Sequence, residues 1–210
     1  MCYPLELRHY SAKKSSAVLI LAHGAGQGLD SPFMMHFGES LAQRGVSVVQ
    51  FEFDYMRAAR ATGKRKPPDR EPKLRACWHD VVTRVRKDMK PQRLFIGGKS
   101  MGGRMASLVA DELYVDGLVC LGYPFHPPGK PDRLRTEHLE TLETRTLICQ
   151  GERDSFGTSD DVKSYTLSKR INVRWLTDGD HGFKPRKVSG RTEQGNWSEA
   201  IDAITGFIDG

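Results

Sequence analysis

Ser100, Asp154 and His181 are the side chains whose types and order suggest chemistry: a hydroxyl, a carboxylate and an imidazole, met in that sequence along 210 residues. A serine hydroxyl is a poor nucleophile at neutral pH, so it needs a base to take its proton and an acid to orient that base. Ser100 lies in Gly98-Lys99-Ser100-Met101-Gly102, a spacing that permits a strained strand-to-helix turn presenting the hydroxyl. A side chain at either flanking glycine would collide with neighbouring backbone in such a turn. With 21 Gly and 14 Ser in the chain, the pattern arises by chance about 0.15 times, so its surroundings have to decide it.

Those surroundings fit on both sides. Arg93-Leu94-Phe95-Ile96-Gly97 reads as a short buried strand. Met101, Met105, Leu108, Val109 and Leu113 recur at helical spacing after the motif. Ser100 is thus expected at a strand end and a helix start, where free N–H groups and the positive end of the helix dipole favour a developing oxyanion. A phosphate-binding loop would need glycine at position 93, which is Arg. A dinucleotide fingerprint fails as well, since Gly24-Ala25-Gly26 is followed three places later by Leu29.

The acid and the base come later in the chain. Gln150-Gly151-Glu152-Arg153-Asp154 sets Asp154 just beyond a strand-like run, and Asp178-Gly179-Asp180-His181-Gly182-Phe183 sets His181 on a glycine-rich loop after the next one. Asp178 and Asp180 compete as partners of His181, but an immediate neighbour reaches its own ring poorly and both are ordinary turn formers; Asp154 is preferred. Among seven histidines, His23 reads as loop-shaping, His126 sits in a proline-rich loop, and His9, His36, His79 and His138 have no supporting motif. The oxyanion needs two N–H donors: Met101 by position, and a residue of the His23-Gly24-Ala25-Gly26 loop, with Ala25 first and Gly24 or Gly26 next.

Strands must carry these loops. Val18 to Ala22, Val46 to Phe53, Leu94 to Gly97, Leu118 to Leu121, Thr146 to Gln150 and Val173 to Leu176 are strand-like, and Tyr3, Leu5 and Leu7 alternate as a weak edge strand. Helical stripes run from Leu74 through Trp78 to Met89 and from Trp197 to Ile208. The alternation predicts an α/β fold, a mostly parallel sheet with helices on both faces, in a single domain over residues 1–210. In such a sheet the carboxyl-end loops gather on one edge, which is where all the candidate residues fall.

Composition narrows the rest. No signal-length or membrane-length apolar run is present, which points to a soluble, cytoplasmic protein. Cys77, Cys120 and Cys149 fall in apolar stripes and Cys2 is terminal, so reduced thiols are expected, with no metal-type spacing. The net charge of +6 resides in Arg57 to Arg75, eight basic residues against Asp69 and Glu71. The rest of the chain is formally neutral, which argues against nucleic-acid binding and for a local basic loop, broken by Pro67-Pro68, which is either a solvated loop or one that draws an anionic substrate or partner.

His23-Gly24-Ala25-Gly26, Gly98 to Gly103, Gly151 to Asp154 and Asp180-His181 together resemble the α/β-hydrolase superfamily. The Gly-Lys-Ser-Met-Gly-Gly turn and Pro67-Pro68-Asp69-Arg70 further resemble small hydrolases related to dienelactone hydrolases and to testis-expressed α/β-hydrolase-like proteins. The resemblance implies a serine hydrolase without a defined substrate; dienelactone hydrolases use a cysteine nucleophile, and Ser100 departs from them. Only Tyr123 to Glu143, with Pro124, Pro127, Pro128 and Pro131, is available for a lid. An open site follows, suited to short or exposed acyl esters and needing no cofactor. Met101, Tyr123, Phe125, Phe156 and Phe183 are the expected apolar walls. A binding or scaffold protein using the basic loop is the competing expectation.

Overall fold

The computed structural model describes residues 4–13, 15 and 17–210, in which seven strands form one sheet. They are β1 (Leu7–Tyr10), β2 (Ala17–Ala22), β3 (Ser47–Phe51), β4 (Arg93–Lys99), β5 (Gly117–Leu121), β6 (Thr146–Gly151) and β7 (Ile171–Leu176). The order across the sheet is β1-β3-β2-β4-β5-β6-β7, with β1 antiparallel to β3 and every other pair parallel. Central strands covered on both faces need apolar residues at every position. β2, reading AVLILA, is buried throughout, and full burial of Leu19, Ile20 and Leu21 stabilises the fold by about 2 kcal/mol each.

Strand alternation divides the core in two. Val18, Ile20 and Ala22 face the helices α3 (Glu71–Met89) and α4 (Met101–Ser107); Leu19 and Leu21 face α1 (Pro32–Gln43) and α6 (Glu193–Asp209). The Leu74 to Val85 stripe of α3 is buried on the first face, with Trp78 edge-on to Phe51 at 4.8 Å. α1 starts where Ser31 caps the N–H of Met34 and Pro32 occupies the first turn. It packs Phe33 and Phe37 against α6 on the second face.

Several sequence expectations change. Arg57 to Arg75 is no continuous loop: α2 (Asp54–Thr62) ends on left-handed Gly63, and only residues 63–70 connect it to α3. α2 forms because Asp54 opens it and pairs with Arg57 one turn on. The helix after Ser100 is seven residues, giving way to turns before Leu113. β1 starts at Leu7, beyond Leu5, while Tyr3 and Cys2 lie outside the described residues. α5 (Ser159–Lys163) is a short capped helix, and the Tyr123 to Glu143 segment carries a single turn of 3-10 helix at Glu137–Leu139. Cys77, Cys120 and Cys149 are free and buried. No helix among the described residues is long and apolar enough to cross a membrane.

Candidate active site

Register builds the turn around Ser100. Gly98 lies opposite Ala22 of β2 and Cys120 of β5, and a Cβ on it would stand 2.4 Å from the Ala22 carbonyl oxygen. A Cβ on Gly102 would meet the carbonyl oxygens of His23 at 2.6 Å and Ala22 at 2.7 Å. Both glycines let α4 start directly against the end of β2. Between them Ser100 adopts φ 51° and ψ −116°, a conformation that costs a non-glycine residue on the order of 1–3 kcal/mol. The Ser100 N–H bond to the Leu121 carbonyl, 2.9 Å, helps to hold it there.

Asp154 and His181 are brought together across β6 and β7, which pair Gly151 with Leu176. Gly151 has no side chain because the carbonyls of Gly179 and Asp180 pass 2.4 Å from where a Cβ would sit, and the Arg153 N–H binds the Gly179 carbonyl at 2.9 Å. The two loops close so that His181 Nδ1 is 2.8 Å from Asp154 Oδ2. Asp154 is fully buried. It also accepts from Gln150 Nε2 at 3.0 Å and, through Oδ1, from the Phe156 N–H at 2.9 Å. Phe156 lies over the imidazole, ring centroids 4.4 Å apart.

Burial pushes the His181 imidazole below its usual range, aided by the Lys99 charge and opposed by Asp154 and Asp180. It is therefore neutral at pH 7, able to accept a proton. The competing aspartates are occupied as turn formers: Asp178 binds the Arg186 N–H and guanidinium, and Asp180 accepts from the N–H groups of Gly182 and Lys184.

The His23 to Gly26 loop runs beside the Ser100 turn. His23 is fully buried, Nδ1 2.6 Å from the Gly24 carbonyl and Nε2 accepting from the Phe53 N–H at 3.2 Å. Those partners fix the tautomer with hydrogen on Nδ1 and make His23 a loop anchor, its pKa lowered by burial. Tyr55 Oη reaches the carbonyls of Gly24 and Ala25 at 3.3 and 3.2 Å. With both carbonyls bound on that side, the loop's backbone is fixed beside Ser100. A cavity of about 570 Å³ opens here, with Ser100, His181 and Ala25 on its wall and Phe33, Phe156 and Trp197 among its apolar lining.

A family model described as an alpha/beta hydrolase domain matches residues 15–209. The chain belongs to the α/β-hydrolase family. Solved structures share the fold of this hydrolase at low identity. An α/β serine hydrolase homologue from Coxiella burnetii superposes with a TM-score of 0.74 at 17% identity, over 96% of this chain and 90% of that one. A lidless α/β serine hydrolase from Xanthomonas campestris gives 0.73 at 16%, over 97% and 89%. A dienelactone hydrolase from Anabaena variabilis gives 0.72 at 17%, over 96% and 89%.

Of the five walls expected for this hydrolase, Phe156 borders the cavity and the other four do not. Tyr123 and Phe125 are fully buried in the α3 face of the core, and Phe183 in the α1 face. Tyr123 and Phe125 follow β5 on the face opposite the cavity, and Phe183 turns inward at φ 72°. Met101 packs on the α3 side, and its side chain does not line the cavity. The apolar wall comes instead from Phe33 of α1 and Trp197 of α6, whose Nε1 donates to the Gly182 carbonyl at 2.9 Å. Ser31-Pro32 followed by Phe33, Phe37 and Leu41 at helical spacing was the signal for α1. Half of the segment's eight basic residues are paired, Arg57 with Asp54, Arg60 with Asp30 and Glu52, Lys73 with Asp54 and Asp69, and Arg75 with Glu112, while Lys64, Arg65, Lys66 and Arg70 make no ion pair among the described residues.

Proposed function

We propose that this hydrolase is a serine esterase that cleaves short or solvent-displayed acyl esters through an acyl-enzyme on Ser100. The observation that carries the reading is the 2.8 Å bond between His181 Nδ1 and a fully buried Asp154, on the same cavity as a serine held at φ 51°. Asp154 holds the imidazole with its hydrogen on Nδ1, leaving Nε2 to take the Ser100 proton. As that proton leaves, Oγ bonds to the ester carbonyl carbon and the carbonyl electron pair moves onto oxygen. The N–H groups of Met101 and of the Ala25 loop receive the oxyanion. Collapse re-forms the carbonyl and breaks the bond to the alcohol, which takes its proton from His181. Water then repeats the attack with His181 as base, releasing the acid and restoring Ser100. The scheme calls on no metal or organic cofactor.

The cavity lining favours an apolar acyl group of modest size, and the lack of a helical lid over Tyr123 to Glu143 leaves the alcohol side open. A fluorophosphonate probe tests the nucleophile: the wild-type protein is expected to label and Ser100→Ala to lose labelling. A folded wild type that fails to label overturns the enzyme reading, and equal labelling of both moves the nucleophile elsewhere. Turnover of p-nitrophenyl esters should then fall as the acyl chain outgrows the cavity.

A further inference from the structure

Lys99 immediately precedes the nucleophile, at the last position of β4, and its stem borders the cavity while its ammonium is turned inward. Nζ donates to the carbonyl oxygen of His181. It lies 5.4 Å from the ring centroid of Phe33 and 5.6 Å from that of Phe183. Asp154 and Asp180 attract it through space, but the one hydrogen-bond acceptor it reaches among the described residues is that carbonyl. Burying an ammonium without a paired carboxylate costs several kcal/mol, and a methionine would fill the same volume without that cost.

The third side of the ammonium is a bare backbone. Gly122, the residue after β5, has φ 65°, and a Cβ on it would stand 2.6 Å from Lys99 Nζ and 3.2 Å from His181 Nδ1. Three loop starts, after β4, β5 and β7, thus meet at one buried charge beneath the imidazole.

We propose that Lys99 is a positioning residue for His181, its ammonium tying the His181 carbonyl to the nucleophile's own turn so that base and nucleophile are held as one body. The inference rests on the reading of His181 as the base. The bond joins residues 82 positions apart, and among the described residues no backbone hydrogen bond joins the Ser100 turn to the His181 loop. The positive charge also opposes formation of imidazolium. The charged groups facing His181 are Asp154 from the loop after β6, Asp180 from its own loop and Lys99 from the elbow; Glu193 of α6 borders the same cavity. Asp154 and Asp180 raise the imidazole's affinity for a proton, whereas burial and Lys99 lower it. Lys99 itself is lowered by burial to about 8, so it is mostly charged at pH 7.

The test follows the His181 Cε1–H resonance by NMR across pH, assigned by its loss in His181→Gln, and needs no turnover. Removing the charge in Lys99→Met or Lys99→Gln should raise the His181 midpoint by about one pH unit, while Lys99→Arg leaves it near wild type. In the wild type the same resonance should show a second, smaller step near pH 8 as Lys99 titrates, a readout that survives if a variant fails to fold. The acid limb of fluorophosphonate labelling should move upward in Lys99→Met by the same amount. An unmoved midpoint in the folded Met or Gln variant, or no second step in the wild type, overturns the proposal. Wild type that never labels, with His181 still responding to Lys99, instead sinks the esterase reading; labelling with an unmoved midpoint leaves the esterase and removes Lys99's role.

Discussion

Asp154 illustrates how much one buried carboxylate can decide. It spends Oδ2 on His181 and Gln150 and Oδ1 on the Phe156 N–H, so both oxygens act as acceptors. Asp154→Asn would turn one of them into a donor facing Nδ1–H, and the ring would have to flip its tautomer to relieve the clash. We expect kcat on p-nitrophenyl acetate to fall about 10³- to 10⁴-fold, the scale of a mis-set triad tautomer, while thermal unfolding moves little. Unchanged turnover would remove Asp154 from the orienting role. At this scale the sequence was informative where spacing carries meaning: the glycines around Ser100 and the order Ser, Asp, His. It was silent on Lys99 and Tyr55, because a lysine between motif positions and a tyrosine in a basic stretch have no local pattern that says where they point.

Elements set the close approaches on which that geometry depends. Gly102 lets α4 rest on the end of β2, and Gly102→Ala would drive a methyl into the carbonyl oxygens of His23 and Ala22, neither of which can move without breaking the β2 end. We expect a loss of about 3 kcal/mol in chemical denaturation. Gly26→Ala is the control, since nothing lies within 4 Å of its added Cβ and its change should stay within about 1 kcal/mol. Equal effects at the two glycines would refute the close-packing account. The central strands were legible because burial on both faces demands unbroken apolar runs. α1 was missed because its apolar positions follow a loop rich in glycine. α2 was read as loop because Pro67-Pro68 breaks the segment, whereas the helix ends before the prolines, at Gly63, and its arginines pair with Asp30, Glu52 and Asp54.

Across the whole molecule, one buried histidine, His23, and two half-buried ones, His138 and His181, tie stability to pH. Burial lowers His23 and His181, and burial with the Arg104 charge takes His138 to about 4. Their unfolded forms accept protons from about pH 6.5 downward, whereas the folded forms resist, so the stabilisation is complete above pH 6.5 and declines toward pH 4. Carboxylates held low, such as Asp30 bonded by Arg8 and Arg60, add their loss only below that window. The urea midpoint should therefore drop between pH 6.5 and 4, and His138→Gln should flatten the drop; a flat profile in the wild type would contradict it. The sequence by itself determined the strand succession and the identities and order of the proposed nucleophile, acid and base, because local periodicity and glycine spacing are properties of neighbours along the chain. Only the tertiary structure decided that Asp154, not Asp178 or Asp180, meets His181. It also decided that Phe33 and Trp197, not Tyr123, Phe125 or Phe183, wall the cavity, and that Lys99 lies under the base. Those contacts join residues far apart in the chain, and parallel register and helix packing, which no local pattern encodes, fix their distances.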